Sequence, residues 1–260
     1  DKPQFVFNRR LYMKSLVINP FGLKDSVKMN PGYNVQQELL KPAGPTDPEV
    51  FFIALKSLTD EPIAILANYS LHYVGEVEKN NISADYFGKF SDDLSILLQP
   101  KNKDVPFVGI MSNGTSGDIN KYNYSGKREN LAPYENISII ARDIAESIVE
   151  KYNKIEFYTW VPLNTTYSYL TLKIRTPSAV ILRNVDRINQ SKSVDTVYTP
   201  QEKSYAYRVD SFIASYPKEV SILLQTIQIG DVGISAIPFE VFAETGLELK
   251  KKSPFKHSFT

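Results

Sequence analysis

The stretch SNGTSGDIN, from Ser112 to Asn120, is almost all small or polar, and it follows the apolar run VPFVGIM. It combines two glycines and several hydroxyl and amide groups with the carboxylate of Asp118. A turn needs glycine where φ is positive, but it does not need this set of polar groups. The stretch is therefore either an ordinary connecting loop or a binding site at the end of a rigid strand.

The chain contains two histidines, and their surroundings differ. His72 lies near the end of the predicted strand Pro62–Tyr73, on the face that alternation assigns to Asn68 and Ser70. It is either a half-exposed histidine bonded to a neighbour or a metal ligand. His257 lies among lysines close to the end of the sequence, and we expect it to be solvated.

Three charged residues have sequence neighbours that differ from those of an ordinary charged surface. Glu240 follows the apolar run IPF at a predicted strand-to-helix junction, so its carboxylate either complements the helix dipole or serves as a metal ligand. Arg9 and Arg10 stand between aromatic residues in FNRRLY. Such an arginine either packs on an aromatic ring or holds a specific anion or carbonyl group.

Composition excludes several classes of function. With 30 basic and 29 acidic residues, the chain offers no electrostatic basis for binding nucleic acid. Without cysteine it can form neither a disulfide nor a thiolate metal site, so a metal ion would need His, Asp, Glu or Tyr ligands. No P-loop, G-x-S-x-G or H-E-x-x-H motif occurs, and no apolar run approaches the roughly 18 residues of a membrane-spanning helix.

Strands and helices that position these residues alternate along the chain. Period-2 and helical patterns predict an antiparallel pair, Phe51–Ser57 with Pro62–Tyr73, a helix capped by Ser83, a strand over Val105–Met111 and a helix over Glu135–Tyr152. Further predictions are strands within Phe157–Ile174, helices over Pro177–Ile188, Glu202–Ala214 and Glu240–Lys251, and a hairpin around Gly230-Asp231.

These predictions describe one α/β unit with a mixed sheet flanked by helices, and a single domain over residues 1–260. The Pro- and Gly-rich segment Gly22–Pro48 is expected to be ordered but irregular. The sequence opens abruptly at DKPQFVFNRR and stops at KHSFT, with apolar residues close to both ends. We therefore expect it to be an internal piece of a longer polypeptide.

Four segments together resemble the neutral ceramidase family, and they span nearly the whole chain. They are NRRLY, then NYSLHYVG followed by SADYFG, then the strand leading into NGTSGDIN, and finally IGDVGISAIPFEVF. The resemblance is closest to the bacterial branch of neutral/alkaline, non-lysosomal ceramidase-like proteins. It implies the catalytic domain of that family, a secreted or periplasmic location, and hydrolysis of the amide bond between a fatty acyl group and a sphingoid base.

The resemblance also implies a zinc site, in which the family uses two histidines, a glutamate and a tyrosine. By motif, His72 in NYSLH and Glu240 in IPFE correspond to two of these ligands, and Arg9 corresponds to the active-site arginine. The other histidine is expected upstream of Asp1, and the tyrosine downstream of Thr260.

One position departs from the family pattern, because Asn120 in GDINKY stands where the family has its proposed nucleophilic serine. An amide cannot be acylated and regenerated as a serine can, whereas a zinc-activated water needs no serine. Asp118 and Asn120 are then expected to hold the substrate or its oxyanion, or to support the groups that do. The small residues of the stretch let the backbone come close, and the polar ones line the site.

The sequence thus predicts a zinc-dependent hydrolase of an N-acyl amide bond, with zinc held by His72 and Glu240 and catalysis assisted by Arg9, Asp118 and Asn120. The expected partner is a small-molecule or lipid substrate, with peripheral contact to a membrane and no nucleic acid. Two alternatives remain: a catalytically silent relative that binds a lipid or glycan, and a hydrolase of another amide or ester. The oligomeric state is left open.

Overall fold

The structure is a computed structural model that describes residues 5–101, 104–128, 130–191 and 197–260. Its strands are β1 Phe7–Asn8, β2 Arg10–Ile18, β3 Lys24–Met29, β4 Leu39–Pro42, β5 Phe51–Lys56, β6 Pro62–Tyr69, β7 Val108–Asn113, β8 Ile119–Asn120, β9 Leu163–Lys173, β10 Glu219–Ile229, β11 Val232–Ala236 and β12 His257–Phe259. Its helices are α1 Asp85–Leu98, α2 Glu135–Tyr152, α3 Ala179–Gln190, α4 Pro200–Ser215 and α5 Ala243–Lys252, and Tyr33–Glu38 forms a 3₁₀ segment.

The chain folds into two compact units. The first contains the residues up to Arg9 together with Gly44–Tyr167 and Gln225–Thr260, and the second contains Arg10–Ala43 and Ser168–Leu224. Every residue predicted for the site belongs to the first unit. The single domain over 1–260 stays a prediction.

A mixed sheet with strand order β5-β6-β7 forms the centre of the first unit, with β5 and β6 antiparallel and β6 and β7 parallel. The antiparallel pair predicted from the sequence is therefore confirmed. Apolar stripes of α1 and α2 pack on this sheet in one core; they comprise Tyr86, Phe90, Leu94, Ile137, Ile140, Ile144 and Ile148. The predicted fold class, α/β with a mixed sheet flanked by helices, is confirmed.

Strand β6 ends at Tyr69, four residues before the predicted end at Tyr73, because β7 stops pairing with it there. The last paired residues are Tyr69 and Asn113, so the chain beyond Tyr69 has no strand partner in this sheet. Asn68 and Ser70, assigned to a polar face, are buried. Tyr73, assigned to the apolar face, is 64% exposed. His72 therefore lies in an irregular segment after the strand.

A second sheet, in the order β12-β11-β10-β9, carries the predicted hairpin. Ile229 pairs with Val232 across Gly230-Asp231, and Gly230 has φ +59°, which the absence of a side chain permits. The hairpin prediction is confirmed. Strand β12 runs parallel to β11, with His257 opposite Val232.

The second unit contains a three-stranded sheet, β3-β2-β4, and the helices α3 and α4. The two helices pack together through the buried residues Val185, Ile188, Ala206 and Val209. The prediction that Gly22–Pro48 is irregular was wrong, since β3 and β4 both pair with β2. This pairing is not visible in local periodicity. Both helices were predicted, and α4 begins at Pro200 with a reciprocal capping box between Thr199 and Glu202.

Two helix starts differ from the prediction. Ser83 was predicted to be the N-cap of helix α1, but Ala84 occupies that position. Ser83 lies one residue before it and accepts a hydrogen bond from the Asp85 N–H. Helix α5 begins at Ala243, because β11 ends at Ala236 and the intervening residues form irregular turns. Across the described ranges, no helix has the length and apolar character needed to cross a membrane.

Candidate functional site

The loop formed by residues 112–120 approaches two other backbone segments closely at its glycines. The Gly114 N–H donates to the Tyr69 carbonyl over 2.9 Å, and the Gly117 N–H donates to the Val241 carbonyl over 2.8 Å. A Cβ atom on Gly117 would lie 2.2 Å from the carbonyl oxygen of Glu240. Space alone therefore requires glycine at Gly117, and the loop runs directly against the segment that precedes α5.

The polar side chains of the 112–120 loop are largely buried, so it is a packed part of the first unit. Thr115, Ser116 and Asp118 each have exposed fractions of 3% or less. Thr115 lies against α5 at Gly246, where a Cβ atom would come within 2.2 Å of the Thr115 hydroxyl. The loop is thus fixed to α5 by side-chain contact as well as by its backbone.

Asp118 holds two distant segments together. One carboxylate oxygen accepts from the Asn8 amide over 2.8 Å, and the other accepts from the Ala243 N–H over 3.0 Å. Ala243 is the first residue of α5, which has no capping side chain of its own at Phe242. The negative charge of Asp118 therefore caps this helix and complements its dipole. These contacts make Asp118 a positioning group.

Arg9 lies directly on the 112–120 loop. Strands β1 and β8 pair antiparallel just before it, and its N–H donates to the Asp118 carbonyl over 2.8 Å. One terminal guanidinium nitrogen donates to the Gly117 carbonyl over 2.5 Å. The Nε atom is buried and has no hydrogen-bond partner within the described part of the chain. The guanidinium is thus anchored at one nitrogen, while its buried Nε–H is left without an acceptor among the described residues.

Asn120 ends strand β8, and its side chain is bonded to the residues that follow. Its Oδ1 accepts from the Tyr122 N–H over 2.9 Å, and its amide is hydrogen-bonded to the Tyr124 hydroxyl. Burial raises the pKa of Tyr124, and the Asn120 bond and the charge of Arg9 oppose this rise only in part. The backbone of Asn120 also lies close to that of Arg9, because Phe7 pairs with Asn120 across β1 and β8.

Glu240 reaches the loop with its backbone, while its side chain is exposed. It lies in the turns between β11 and α5, outside the first helical turn. The interpretation of Glu240 as a charge that complements the dipole of α5 was therefore wrong, since Asp118 fills that position.

His72 is half-buried in the segment after β6, with its ring 4.1 Å from that of Tyr73. The backbone on both sides of His72 is tied to α1. Tyr86 donates its hydroxyl to the Leu71 carbonyl over 3.0 Å, and the Asp85 carboxylate accepts from the Val74 N–H over 2.8 Å. The position of His72 is therefore set by the first turn of this helix.

Glu76 links the segment after His72 to the segment after Asn120. Its carboxylate forms an ion pair with Lys121 and accepts from the Tyr122 hydroxyl over 3.1 Å and from the Asn136 amide over 2.7 Å. Burial raises the pKa of Glu76, but these hydrogen bonds and the charge of Lys121 outweigh it and leave that pKa below its ordinary value. The Lys121 side chain is only 6% exposed.

Sequence reasoning missed Glu76, Lys121 and Tyr124. KYNYSG shows a lysine and two tyrosines directly after Asn120, and this proximity was the only available signal. Nothing in the local pattern indicates that Lys121 is buried or that Glu76, 45 positions earlier, is its partner.

The predicted zinc ligands do not form a complete set within these residues. In the described ranges, no three His, Cys, Asp or Glu side chains are grouped so that they could hold a metal ion, and catalytic zinc sites use three protein ligands. His72 and Glu240 follow β6 and β11, which belong to different sheets. Their convergence on one ion stays a prediction. His257 is exposed, as expected.

Two of the solved structures that are similar to this chain are ceramidases. The neutral ceramidase from Pseudomonas aeruginosa matches 82% of the chain, with a TM-score of 0.50 and 11% sequence identity. A ceramidase complexed with C2 matches 97% of the chain, with a TM-score of 0.54 and 12% identity.

The matches cover 39% and 46% of those two proteins, so this chain spans less than half of their length. No family model matches the sequence, and no curated protein does. Identity this low establishes the fold alone. The chain has a ceramidase-like α/β fold.

Proposed function

We propose that this chain is part of a zinc-dependent hydrolase that cleaves the N-acyl amide bond of a ceramide-like lipid, in a protein of the bacterial branch of the neutral ceramidases. The observation that carries the proposal is the set of contacts around the 112–120 loop. Arg9 donates to the Gly117 carbonyl in this loop, Asn120 is its last residue, and the backbone of Glu240 lies against it at Gly117. The ceramidase-like fold supports the assignment to this reaction class.

Arg9 is proposed to hold the acyl carbonyl or a hydroxyl group of the substrate. Its anchor on the Gly117 carbonyl fixes the direction of the guanidinium, and its buried Nε–H needs an acceptor that the described residues do not supply. Leaving a buried donor unsatisfied costs about 1–3 kcal/mol. A substrate oxygen that gains access to Nε on binding would recover that free energy.

Asn120 is proposed to donate an N–H to the oxygen that becomes negative when the amide carbonyl is attacked. Donors of this kind act best when they are held in place before the reaction. The Asn120 amide meets this condition, because Tyr122 and Tyr124 both bind it. An amide is not a nucleophile that can be acylated and regenerated, so the proposal includes no covalent intermediate at this position.

Zinc remains a proposal, with His72 and Glu240 supplying two ligands and residues outside this sequence supplying the others. When bound, zinc would polarise the carbonyl and lower the pKa of a bound water. Because the residues present do not form a complete site, we assign no geometry to the ion. A secreted or periplasmic location and peripheral contact with a membrane surface are proposed with it, since a lipid substrate resides in membranes.

Metal content in the full-length protein tests the ligand assignment. We expect about one zinc per chain by atomic spectroscopy, and we expect His72→Ala and Glu240→Ala to lower it. His257→Ala is the matched control, because this exposed histidine lies in β12 and is not a proposed ligand. Unchanged zinc in both ligand variants would remove His72 and Glu240 from the site.

Hydrolysis of an N-acyl sphingoid base by the same full-length protein tests the reaction. Arg9→Ala should lower turnover with little change in zinc content, and Asn120→Ala should lower kcat by about 10²–10³, the loss reported for one oxyanion donor. The isolated 260-residue chain should be inactive or nearly so, because two ligands hold zinc weakly. A covalent acyl adduct on the 112–120 loop would contradict the zinc-water mechanism.

One observation favours a second candidate, a catalytically silent relative that binds a lipid or glycan: Asn120 stands where the family has a serine. Binding of the lipid without turnover in the full-length protein would support it. Turnover of a different amide or ester, with the ceramide-like substrate left intact, would instead indicate a hydrolase with another specificity.

A further inference from the structure

The carboxylate of Glu76 contacts two segments that are distant from it in the sequence. One oxygen accepts from the Tyr122 hydroxyl over 3.1 Å, and the other accepts from the Asn136 amide over 2.7 Å and pairs with the Lys121 ammonium group. Lys121 and Tyr122 directly follow Asn120, and Asn136 lies in the first turn of α2, where the helix dipole favours a negative charge. A single carboxylate thus joins the chain after Asn120 to the start of α2.

The backbone that carries this carboxylate is fixed independently of those contacts. The Glu76 carbonyl accepts from the Tyr134 N–H over 2.9 Å, and the Gly75 N–H donates to the Asp85 carboxylate over 2.7 Å. Glu76 also has φ +59°, a left-handed conformation that residues other than glycine seldom adopt. Such a conformation persists only where the surroundings impose it. The carboxylate therefore projects from a backbone position that α1 and α2 both hold.

Tyr122 connects Glu76 to the Asn120 side chain. Its hydroxyl is held by Glu76, and its backbone N–H donates to the Asn120 Oδ1 over 2.9 Å. Between these two residues, the Lys121 ammonium group lies 4.8 Å from the centre of the Tyr122 ring and is itself paired with Glu76. Because the asparagine amide is planar, a fixed oxygen restricts the directions in which its two N–H groups can point.

We propose that Glu76 is a positioning residue whose carboxylate, through Lys121 and Tyr122, holds the Asn120 amide in place for the reaction. The inference rests on the proposed function of Asn120 and adds the group that keeps it in position. No contact between Glu76 and the substrate is required. His72 lies earlier in the same segment as Glu76, but the backbone on both sides of it is bonded to α1, so the proposed metal ligand does not depend on Glu76.

Kinetics of Glu76→Ala in the full-length protein test the role in catalysis. We expect kcat to fall about tenfold, with little change in KM or zinc content, because the amide donor is still present but is less well placed. Glu76→Gln should keep most of the turnover, since a glutamine can accept from Lys121 and Asn136 and donate to the Tyr122 hydroxyl. Glu78→Ala is the control, because it removes an exposed carboxylate from the same segment and should leave kcat unchanged.

Two further variants separate positioning from a general structural effect. Added to Asn120→Ala, Glu76→Ala should cause no further fall in kcat, because its target is then absent. Tyr122→Phe keeps the ring and the backbone N–H and removes only the hydroxyl bond to Glu76, so it tests the inference even if Glu76→Ala does not fold. It should lower kcat about threefold. Tyr158→Phe is its control, since this exposed hydroxyl bonds to nearby Glu156 and should leave kcat unchanged.

A spectroscopic measurement keeps the inference testable if no turnover is found. In protein labelled with ¹⁵N-asparagine, the side-chain NH₂ resonances of Asn120 are assigned by their loss in Asn120→Ala. They should shift in Glu76→Ala and Tyr122→Phe and stay in place in Glu78→Ala and Tyr158→Phe. Unshifted resonances, or kinetic losses that add fully in the double variant, would overturn the inference. Shifted resonances in a protein without hydrolase activity would reject the proposed function and keep the positioning of Asn120 by Glu76.

Discussion

The 112–120 loop and the segment from His72 to Asn81 both carry residues predicted for the site, yet different forces hold them. The loop is fixed by backbone contact at Gly117 and by the buried carboxylate of Asp118. The His72 segment is fixed by hydrogen bonds to α1 and by the partly exposed carboxylate of Glu76. The loop should therefore tolerate almost no substitution without loss of stability, whereas the His72 segment should tolerate modest ones.

Gly117→Ala should give the largest loss of stability. The new Cβ atom would stand 2.2 Å from the Glu240 carbonyl oxygen, so backbone must move on one side or the other. Overpacking of this kind costs about 3 kcal/mol. Urea-induced unfolding measures the loss. Gly126→Ala is the control, because its Cβ atom would meet mainly the Asn123 side chain, which can turn away at the cost of one exposed hydrogen bond from the Ser125 N–H. Equal losses for the two variants would show that the close approach at Gly117 is unimportant.

Asp118→Asn should lower the free energy of unfolding by about 2 kcal/mol, because an amide group would replace a carboxylate that faces two donors. The Asn8 amide cannot simply turn to compensate, since it also donates to the Pro45 carbonyl. The same urea measurement applies. Asp60→Asn should be neutral, because that aspartate is exposed. An Asp118→Asn protein with unchanged stability would mean that the capping of α5 contributes little.

Local patterns predicted much of the first unit, for physical reasons. The isoleucines of α2 repeat at helical spacing, so both ends of Glu135–Tyr152 were found at the observed residues. Gly230-Asp231 between alternating apolar residues located the hairpin, because few other sequences form that turn. The last residue of β6 could not be predicted from local patterns, since it depends on where β7 stops pairing with β6.

The contacts of the candidate site were mostly invisible in the sequence because they join distant positions. The segments that Asp118 connects lie 110 and 125 residues away, at Asn8 and Ala243. A search of the sequence for neighbouring polar residues could find the 112–120 loop. It could not show that Asp118 is buried and accepts hydrogen bonds from Asn8 and Ala243. The resemblance to a family indicated Arg9, and the structure supplied its anchor on Gly117.

Gly75→Ala tests the more tolerant segment and should cost less than Gly117→Ala. Gly75 has φ +69°, but the nearest atoms to an added Cβ lie 4.0 Å away. The cost is therefore the left-handed conformation alone, about 1 kcal/mol for alanine. Gly75→Asn should cost less again, since asparagine adopts this conformation more readily. A loss for Gly75→Ala as large as that for Gly117→Ala would remove the contrast between the two regions.

Glu76→Gln should have the smallest effect, about 0.5 kcal/mol at neutral pH, because the carboxylate is partly exposed, solvent screens its charge, and a glutamine oxygen can still accept from the buried Lys121 ammonium group. The pKa of Glu76 is lowered in the folded protein, so the folded state binds fewer protons than the unfolded state as the pH falls past the ordinary glutamate value of about 4.3. Its contribution is complete above that pH and is lost as the pH falls through the lower folded value.

The difference in stability between the native protein and Glu76→Gln should therefore be present at pH 7 and shrink below about pH 4.3. Urea unfolding at a series of pH values, with 0.5 M salt as a second condition, measures this difference. Salt should reduce it at neutral pH, since the Debye length falls to a few ångströms. A stability difference between the two proteins that is constant over the pH range would mean that the shape of the Glu76 side chain matters. The charge of Glu76 would then not be what holds the His72 segment to Lys121.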